Sequence, residues 1–397
     1  MPEFNTLIEL YDERPMENVL GVEVFRPQRV VYVCPDSVAS DAGLRTKLRS
    51  YFAHRGLAPE LVFLRASVYD AGTVHTVLRR AAERYPDCVV DITGGTDAVL
   101  FAAGRLSAER QLPVVTYSRK KNRFFNIQNA PFVSERPVDL RYRVEDFLRM
   151  AGGSMQQGRV DNRVLESYLS IVDPFFGVFM KYRRRWDRIV TYVQRVSPPG
   201  PDGEPDVYAH GAYEVKGERG TRILCPEEAL RDLERIGLLQ DLTIVPQQDV
   251  RFSFRDLQIR SWLRDVGSVL ELFVWKACRD VNVFDDLHLS VVVDWEGIGC
   301  GGDVTNELDV VATCGLVPIF ISCKSGEVKT EALNELAVLR DRFGGQMARA
   351  AVVTSELGSP VMRSRAAELG IDVIDRSELD PARLHLRLKS LAGARER

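Results

Sequence analysis

Short apolar runs alternate with segments of helical periodicity from residue 4 to about residue 130. The runs read FNTLIEL, RVVYVC, LVFL, CVVDIT and PVVTYS, and helical spacing covers residues 41–54, 73–84 and 96–110. Nearly continuous apolar strands separated by helices are typical of a parallel sheet with helices on both faces. The pattern therefore predicts an α/β domain in which Asp41 caps the first of these helices.

Polar and small residues gather where three of these strands end. They are Glu13 and Asn18, then Asp36 and Ser37, then Thr93, Gly94, Gly95 and Thr96 in the sequence DITGGTDA. Ligands bind beyond the carboxyl ends of parallel strands, and glycines let the backbone approach a phosphate or ribose at a helix N-terminus. A tight turn capped by Thr96 would give the same pattern.

The middle of the chain favours a small helix-and-strand module. The segment SPPGPDGEPD at residues 197–206 predicts a loop or hinge. Strand-like residues 207–215 follow, then a helix over residues 226–239 and the strand-like LTIV. The module resembles a winged helix, but it has no basic recognition helix, which favours a spacer between two domains.

A basic stretch, KYRRRWDR at residues 181–188, mixes cations with aromatic rings. Such mixtures occur on nucleic-acid-binding surfaces, where bases stack on the rings. The polar face of a connecting helix would look the same, and the sequence supports both interpretations equally.

The last third places two carboxylates and a lysine on neighbouring strands. Residues 301–326 read GGDVTNELDVVATCGLVPIFISCKSG, and their two β-branched runs predict a hairpin. Glu307 and Asp309 begin the first run, and Lys324 ends the second. Carboxylates bind divalent cations, which polarise phosphates and activate water, and a lysine stabilises developing negative charge. The arrangement is typical of a metal-dependent nuclease, although any strand pair with charged ends shares it.

Residues 256–280 keep helical spacing and predict one amphipathic helix that contains Glu271. A carboxylate inside an apolar helix either lies on the outer face or needs a partner, such as a metal ion. A strand that ends at Asp294 follows.

This order of elements resembles the restriction-endonuclease-like fold of the PD-(D/E)xK superfamily. The resemblance implies that Asp309 binds the metal, that Lys324 assists attack on the phosphodiester, and that Glu271 is the helix glutamate of many members. With Glu307 they are the candidate catalytic residues.

The sequence departs from that pattern at one metal ligand. Ser322 stands where the superfamily has a glutamate. Glu307, Asp294 or the carbonyl of Cys323 would then complete the metal shell around Asp309.

The whole chain resembles the CRISPR ancillary nucleases that join an N-terminal CARF domain to a restriction-like nuclease domain. LIELYDERPMEN, DITGGTDA and NELDV…FISCKSG carry this resemblance. It implies a CARF domain at residues 1–145, a connecting module at 146–250 and a nuclease domain at 251–397. It also implies a Rossmann-like CARF sheet that dimerises and binds a cyclic oligoadenylate, usually cyclic tetra-adenylate, through the DITGGTDA loop.

The resulting hypothesis is an endonuclease of type III CRISPR defence that uses Mn²⁺ or Mg²⁺, cleaves DNA or RNA, and is activated as a homodimer. A non-catalytic, ligand-responsive regulator that binds nucleic acid is the alternative, and a nuclease that needs no ligand is a third possibility.

Charge and composition narrow these hypotheses. With 53 basic and 56 acidic residues, the net charge is −3, so nucleic acid must bind at local basic patches. No apolar run approaches the ~20 residues that cross a bilayer. The N-terminus lacks a signal-peptide pattern, so we expect a cytoplasmic protein with no membrane partner.

Overall fold

The computed structural model describes residues 4–133, 136–156, 162–200, 202–217, 220–295 and 305–393. The first four residues of the stretch 301–326 lie outside these ranges. The N-terminal elements are β1 (Thr6–Leu10), α1 (Leu20–Phe25), β2 (Arg29–Cys34), α2 (Asp36–Ser40), α3 (Ala42–His54), β3 (Glu60–Arg65), α4 (Ala71–Arg84), β4 (Cys88–Asp91), α5 (Asp97–Arg110), β5 (Val114–Ser118) and β6 (Arg123–Gln128).

These elements form the predicted parallel sheet. The strand order is β3-β2-β1-β4-β5-β6, and only β6 runs antiparallel to its neighbour. Asp41 caps α3 by accepting a hydrogen bond from the Leu44 amide at 3.0 Å. The order in which strands are added to the sheet reverses between the parallel strands β1 and β4, and ligands bind at such a point in open α/β sheets.

The middle elements extend the fold toward the second sheet. They are α6 (Val144–Met150), β7 (Ser154–Gln156), α7 (Asn162–Glu166), α8 (Leu169–Tyr182), α9 (Trp186–Val196), β8 (Tyr208–Ala212), β9 (Glu214–Lys216), β10 (Arg222–Leu224), α10 (Glu227–Arg235), β11 (Leu239–Val245) and β12 (Asp249–Phe254). Strands β11, β12 and β8 form a small antiparallel sheet, and β9 pairs with β10.

The C-terminal elements build a second six-stranded sheet. They are α11 (Leu257–Leu263), α12 (Ser268–Val281), β13 (Asp286–Asp294), β14 (Thr305–Cys314), β15 (Val317–Lys324), α13 (Thr330–Gly344), β16 (Arg349–Thr354), α14 (Pro360–Glu368), β17 (Ile371–Ile374) and α15 (Pro381–Ala392). The strand order is β17-β16-β15-β14-β13-β7. The edge strand β7 therefore comes from the chain segment that the sequence assigned to the connecting module.

The two faces of this sheet have separate cores. Helices α8 to α12 and α15 pack against one face of the sheet and form one apolar core with it. Helices α6, α13 and α14 cover the other face. The middle module therefore packs directly against the second sheet. The predicted domain boundaries stay a proposal. Within the described ranges, no helix is long and apolar enough to cross a bilayer.

The single helix predicted over residues 256–280 is wrong, because the chain forms α11 and α12 instead. The first helix ends at Leu263, and Asp265 stabilises the start of the second, since its Oδ2 accepts hydrogen bonds from the amides of Gly267 (3.2 Å) and Ser268 (2.8 Å). This break places Glu271 in the first turn of α12 rather than in the interior of a long helix.

Candidate active site and ligand-binding edge

The structure brings Asp309 and Lys324 together where β14 and β15 separate. The ladder between the two strands begins at Val310. One residue earlier, Asp309 Oδ2 accepts hydrogen bonds from the Cys323 amide at 2.6 Å and the Ser322 hydroxyl at 3.1 Å. Lys324 Nζ lies 3.7 Å from the same oxygen. Backbone and side chain thus fix one aspartate oxygen beside an ammonium group.

The β13–β14 pair is distorted at this level. On β13, the side chain of Leu289 packs in the core on the α12 side of the sheet, whereas that of Val291 packs in the core on the α13 side. Their pairing partners on β14 are divided between the same two cores. Residues two apart normally share a face. Between them lies Ser290, opposite Asp309, with a left-handed φ of 52°. Such irregularities often reorient side chains next to active sites.

Glu271 reaches the same region from α12. Burial, together with the nearby carboxylates of Asp309, Asp265 and Glu307, raises its pKa to about 8. A Cβ atom on Gly267 would lie 2.6 Å from Glu271 Oε1, so this glycine leaves room for the carboxyl group. Because the crowded negative charges oppose ionisation, a cation placed among them would favour the charged form.

The donor set fits a partial metal shell. Among the described residues, no group of three or more His, Cys, Asp or Glu side chains is placed to hold a metal ion. Mg²⁺ commonly uses only one or two carboxylates, with water and substrate phosphate completing its shell. Asp309 and Glu271 can supply that pair. The Cys323 thiol is buried, and burial raises its pKa, so this residue can contribute only its carbonyl.

The other two candidate ligands lie farther along the strands. Asp294 pairs with Thr305 and Glu307 pairs with Val292. Asp294 is therefore four residues along β13 from the position opposite Asp309, or about 13 Å at ~3.3 Å per residue. Glu307 is two residues from Asp309 on the same strand, or about 7 Å. The distance removes Asp294 from the set that we propose below.

The predicted ligand loop is held against the end of β1. Gly95 donates its amide hydrogen to Asp12 Oδ2 at 3.0 Å. The buried Asn18 exchanges two hydrogen bonds with the backbone of Asp12, at 2.9 and 2.7 Å, so its side chain supports the loop from below. A Cβ on Gly94 would lie 2.9 Å from the Leu10 carbonyl oxygen, which explains the glycine here.

The two threonines of the loop also have local partners. Thr93 bonds through its amide (2.8 Å) and hydroxyl (2.5 Å) to Asp91 Oδ1. Thr96 stands at the N-cap position of α5, but its hydroxyl donates to the Val68 carbonyl at 2.7 Å and makes no cap. The turn capped by Thr96 is therefore wrong in this detail. Glu13, Asp36 and Ser37 are exposed at the same edge of the sheet.

Beneath the loop lies a buried pair of carboxyl groups that the sequence reasoning missed. Glu9 and Asp91 are partners across β1 and β4, and both are fully buried. Both oxygens of Glu9 and Oδ2 of Asp91 lack hydrogen-bond partners among the described residues. Burial raises the pKa of Asp91 to about 7, and burial and the Asp91 charge raise that of Glu9 well above its usual range. The signal was an acidic residue in each of two apolar runs.

Comparison with protein families finds a match in the C-terminal third of the chain. Residues 259–392 match the family model of the Card1-like endonuclease domain, so the C-terminal region is a domain of that family. No curated protein sequence matches the chain.

Two solved structures share the architecture of the whole chain. Can2 from Sulfobacillus thermosulfidooxidans, solved in complex with cyclic tetra-adenylate, is 16% identical with a TM-score of 0.70. Protein VC1899 from Vibrio cholerae is also 16% identical, with a TM-score of 0.72. Each alignment covers 98% of this chain and 99% of the other. At this identity the likeness establishes the fold, which confirms the predicted combination of two α/β sheets.

Proposed function

We propose that this protein is an endonuclease of type III CRISPR defence that requires Mn²⁺ or Mg²⁺ and is activated by a cyclic oligoadenylate. The observation that carries the proposal is the Asp309–Lys324 pair beside Glu271 in a Card1-like endonuclease domain. The complex of Can2 with cyclic tetra-adenylate supports that ligand as the first candidate.

Each residue of the site has a distinct task in phosphodiester cleavage. Asp309, Glu271 and the Cys323 carbonyl would hold the metal ion, which supplies Lewis acidity and an activated water when bound. Asp309 Oδ1 accepts no hydrogen bond from the described residues and so is open to a cation, while the Cys323 amide fixes Oδ2. The Lys324 ammonium would stabilise the negative charge that develops on the phosphate.

The ligand half of the proposal rests on the loop from Thr93 to Thr96. Its backbone lies at the point where the strand order of the sheet reverses, and α5 begins directly after it. Exposed Glu13, Asp36 and Ser37 would line the same crevice. A cyclic oligonucleotide on a two-fold axis would contact this loop once in each protomer, so a homodimer is required. The ligand activates only if it favours one arrangement of the protomers.

A plasmid-nicking assay with and without Mn²⁺ and cyclic tetra-adenylate tests the proposal. We expect cleavage only when both are present, and calorimetry should show binding of the cyclic ligand but not of its linear control. Asp309→Asn and Lys324→Met should each abolish cleavage and leave calorimetric binding intact. Full activity in either variant would overturn the assignment of the site.

Ser322, in place of a glutamate, favours a second function, a ligand-responsive regulator without catalysis. That protein would bind DNA without metal, change its affinity with ligand, and never cleave. Cleavage that ignores the ligand would instead indicate a nuclease whose N-terminal domain only dimerises.

A further inference from the structure

The basic stretch at residues 181–188 forms an exposed corner between two helices. Helix α8 ends at Tyr182, residues Arg183–Arg185 form a 3-10 turn, and α9 begins at Trp186. The rings of Tyr182 and Trp186 are buried, at 4% and 1% exposure, and the Tyr182 hydroxyl donates to Asp232 at 2.8 Å. The aromatic residues therefore belong to the core, and they cannot stack on bases. What remains at the surface is a mainly basic cluster of Lys181 and the arginines, which also contains the exposed Asp187.

The corner lies next to the end of the strand that carries Lys324. Arg183 Nε is 3.7 Å from Glu356 Oε1. Glu356 follows Ser355, whose amide donates to the Lys324 carbonyl at 3.3 Å and whose hydroxyl donates to the Ser325 carbonyl at 2.7 Å. The arginine corner and the proposed catalytic lysine are thus connected through a single short loop after β16.

Three arginines of the corner keep their charge available. Arg184, Arg185 and Arg188 are exposed, and the described residues provide no carboxylate within ion-pair distance of them. Arg185 lies over the Tyr182 ring at 5.7 Å, and Arg188 donates to the Arg222 carbonyl at 3.3 Å. An exposed guanidinium without an acidic partner can bind phosphate oxygens in a bidentate manner.

The same arginines continue into a groove. Arg185 and Arg188 line a cavity of about 930 Å³ whose opposite wall is formed by β9, β10 and the start of α10. The acidic groups on that wall are Glu214, which is paired with Arg222 at 2.5 Å, Glu227, which accepts a hydrogen bond from a tyrosine hydroxyl, and the exposed Glu228. Arg185 and Arg188 make the side of the groove formed by the corner basic.

We propose that Arg184, Arg185 and Arg188 bind the phosphate backbone of the nucleic-acid substrate and lead the strand to Lys324. The inference rests on the proposed function and adds the substrate-binding surface to it. A chain with a net charge of −3 needs a local basic patch to hold a polyanion, and this one adjoins the proposed site. The middle module is then part of the nuclease and does more than separate two domains.

The test compares two triple variants with the same change of charge. One is Arg184→Gln, Arg185→Gln and Arg188→Gln. The matched control is Arg79→Gln, Arg80→Gln and Arg84→Gln on α4, where three exposed arginines have the same kind of spacing and one lies over a tyrosine ring. Fluorescently labelled single- and double-stranded oligonucleotides of DNA and RNA serve as probes, in EDTA to prevent cleavage.

We expect the corner variant to bind its best probe at least tenfold more weakly near 100 mM salt. Each phosphate contact contributes roughly 0.7 to 0.9 to the slope of log K against log salt concentration, so the slope should fall by about 2 to 3. In cleavage assays KM should rise while kcat at saturating substrate stays within about twofold. The control variant should match the wild type in affinity and slope.

Equal affinity and slope in the corner variant and the control would overturn the inference, even if the wild type cleaves nucleic acid normally. A fall in kcat with unchanged KM would also overturn it, since this would indicate a disturbed catalytic strand. Should the wild type bind but never cleave, the proposed function fails and the binding slopes still decide the inference. Arg184 has no hydrogen-bond or ion-pair partner among the described residues, so Arg184→Gln alone should not disturb folding and should lower the slope by about 0.7 to 0.9.

Discussion

Replacing Glu271 by glutamine should show separately how much its carboxylate lowers folding stability and how much it contributes to cleavage. The carboxyl group is half-buried in the first turn of α12, and neighbouring carboxylates help to raise its pKa from 4.5 to about 8. Because the folded state retains this proton and the unfolded state does not, folding stability is lost as the pH rises from about 4.5 through about 8. Glutamine has nearly the same shape and carries no charge, so the variant should not lose this folding stability as the pH rises.

The size of the effect follows from the two pKa values. Their difference of about 3.5 corresponds to at most about 5 kcal/mol, because one pKa unit equals ~1.4 kcal/mol. Without metal, Glu271→Gln should therefore exceed the stability of the wild type by at most about 1 kcal/mol near pH 5 and by up to about 5 kcal/mol at pH 9. Partial exposure to solvent lowers this upper value. At pH 7 about one-tenth of the wild-type carboxyl groups are ionised.

Urea unfolding in EDTA at pH 5, 7 and 9 measures the stability difference, and ligand-activated cleavage with Mn²⁺ measures the catalytic cost. We expect cleavage by the variant to fall at least a hundredfold, because a neutral amide binds a divalent cation poorly. Glu331→Gln, at an exposed position in the first turn of α13, is the matched control and should cleave normally. A stability difference that stays constant from pH 5 to 9 would refute the reasoning about burial, and undiminished cleavage would remove Glu271 from the metal shell.

Three further predictions concern the N-terminal sheet and its contact with the nuclease domain. Gly94→Ala should weaken binding of cyclic tetra-adenylate at least tenfold by calorimetry, because its Cβ would collide with the β1 backbone; unchanged binding would exclude the loop from the ligand site. Asp91→Asn should be more stable than the wild type at pH 9 by up to about 4 kcal/mol and equal to it near pH 4, because the burial that raises the Asp91 pKa to about 7 penalises only the charged form and an amide can donate to Glu9. Thermal unfolding at the two pH values decides this. Gln346→Ala, which removes a contact with Arg119, should lower ligand-stimulated cleavage without changing the ligand Kd; equal stimulation would exclude this contact from the signal.

Local patterns predicted those features that neighbouring residues determine. The periodicity of residues 41–54 gave α3 within one residue at its start, because spacing and an Asp41 cap are local properties. Asp309 and Lys324 could be paired in advance because a tight hairpin connects their strands. The break between α11 and α12 was not predicted, because the helical spacing of apolar residues continues in phase across it. Apolar residues of both helices pack in the same core. Strand β7 escaped because its partner β13 lies far along the chain.

The predicted hinge over residues 197–206 is held at its beginning. The buried Ser197 has its carbonyl bonded by Arg260 at 2.9 Å and by Arg264 at 2.5 Å, and Arg264 also donates to the Ser197 hydroxyl at 2.9 Å. Both arginines belong to α11 or its C-cap, so this end of the segment is fixed to the nuclease core. The fixed end restricts movement at Ser197, and a second route also connects the ligand edge to the active site.

Helix α13 offers that route, because its two ends touch the two regions. Beyond its C-terminus, Gln346 contacts Arg119 of the N-terminal sheet, and Arg119 also contacts the buried Glu17 close to the ligand edge. Nearer its start, Glu335 accepts a hydrogen bond from Asn306 on β14 at 2.8 Å.

The Asn306 side chain is fixed from a second side as well, because Trp295 Nε1 donates to its amide oxygen Oδ1 at 2.7 Å. It precedes Asp309 by three residues on the same strand. The 15 residues of α13 span about 22 Å. We therefore expect a displacement of Arg119 to reach the strand that carries Asp309, the proposed metal ligand, without any bending of the proline-rich segment.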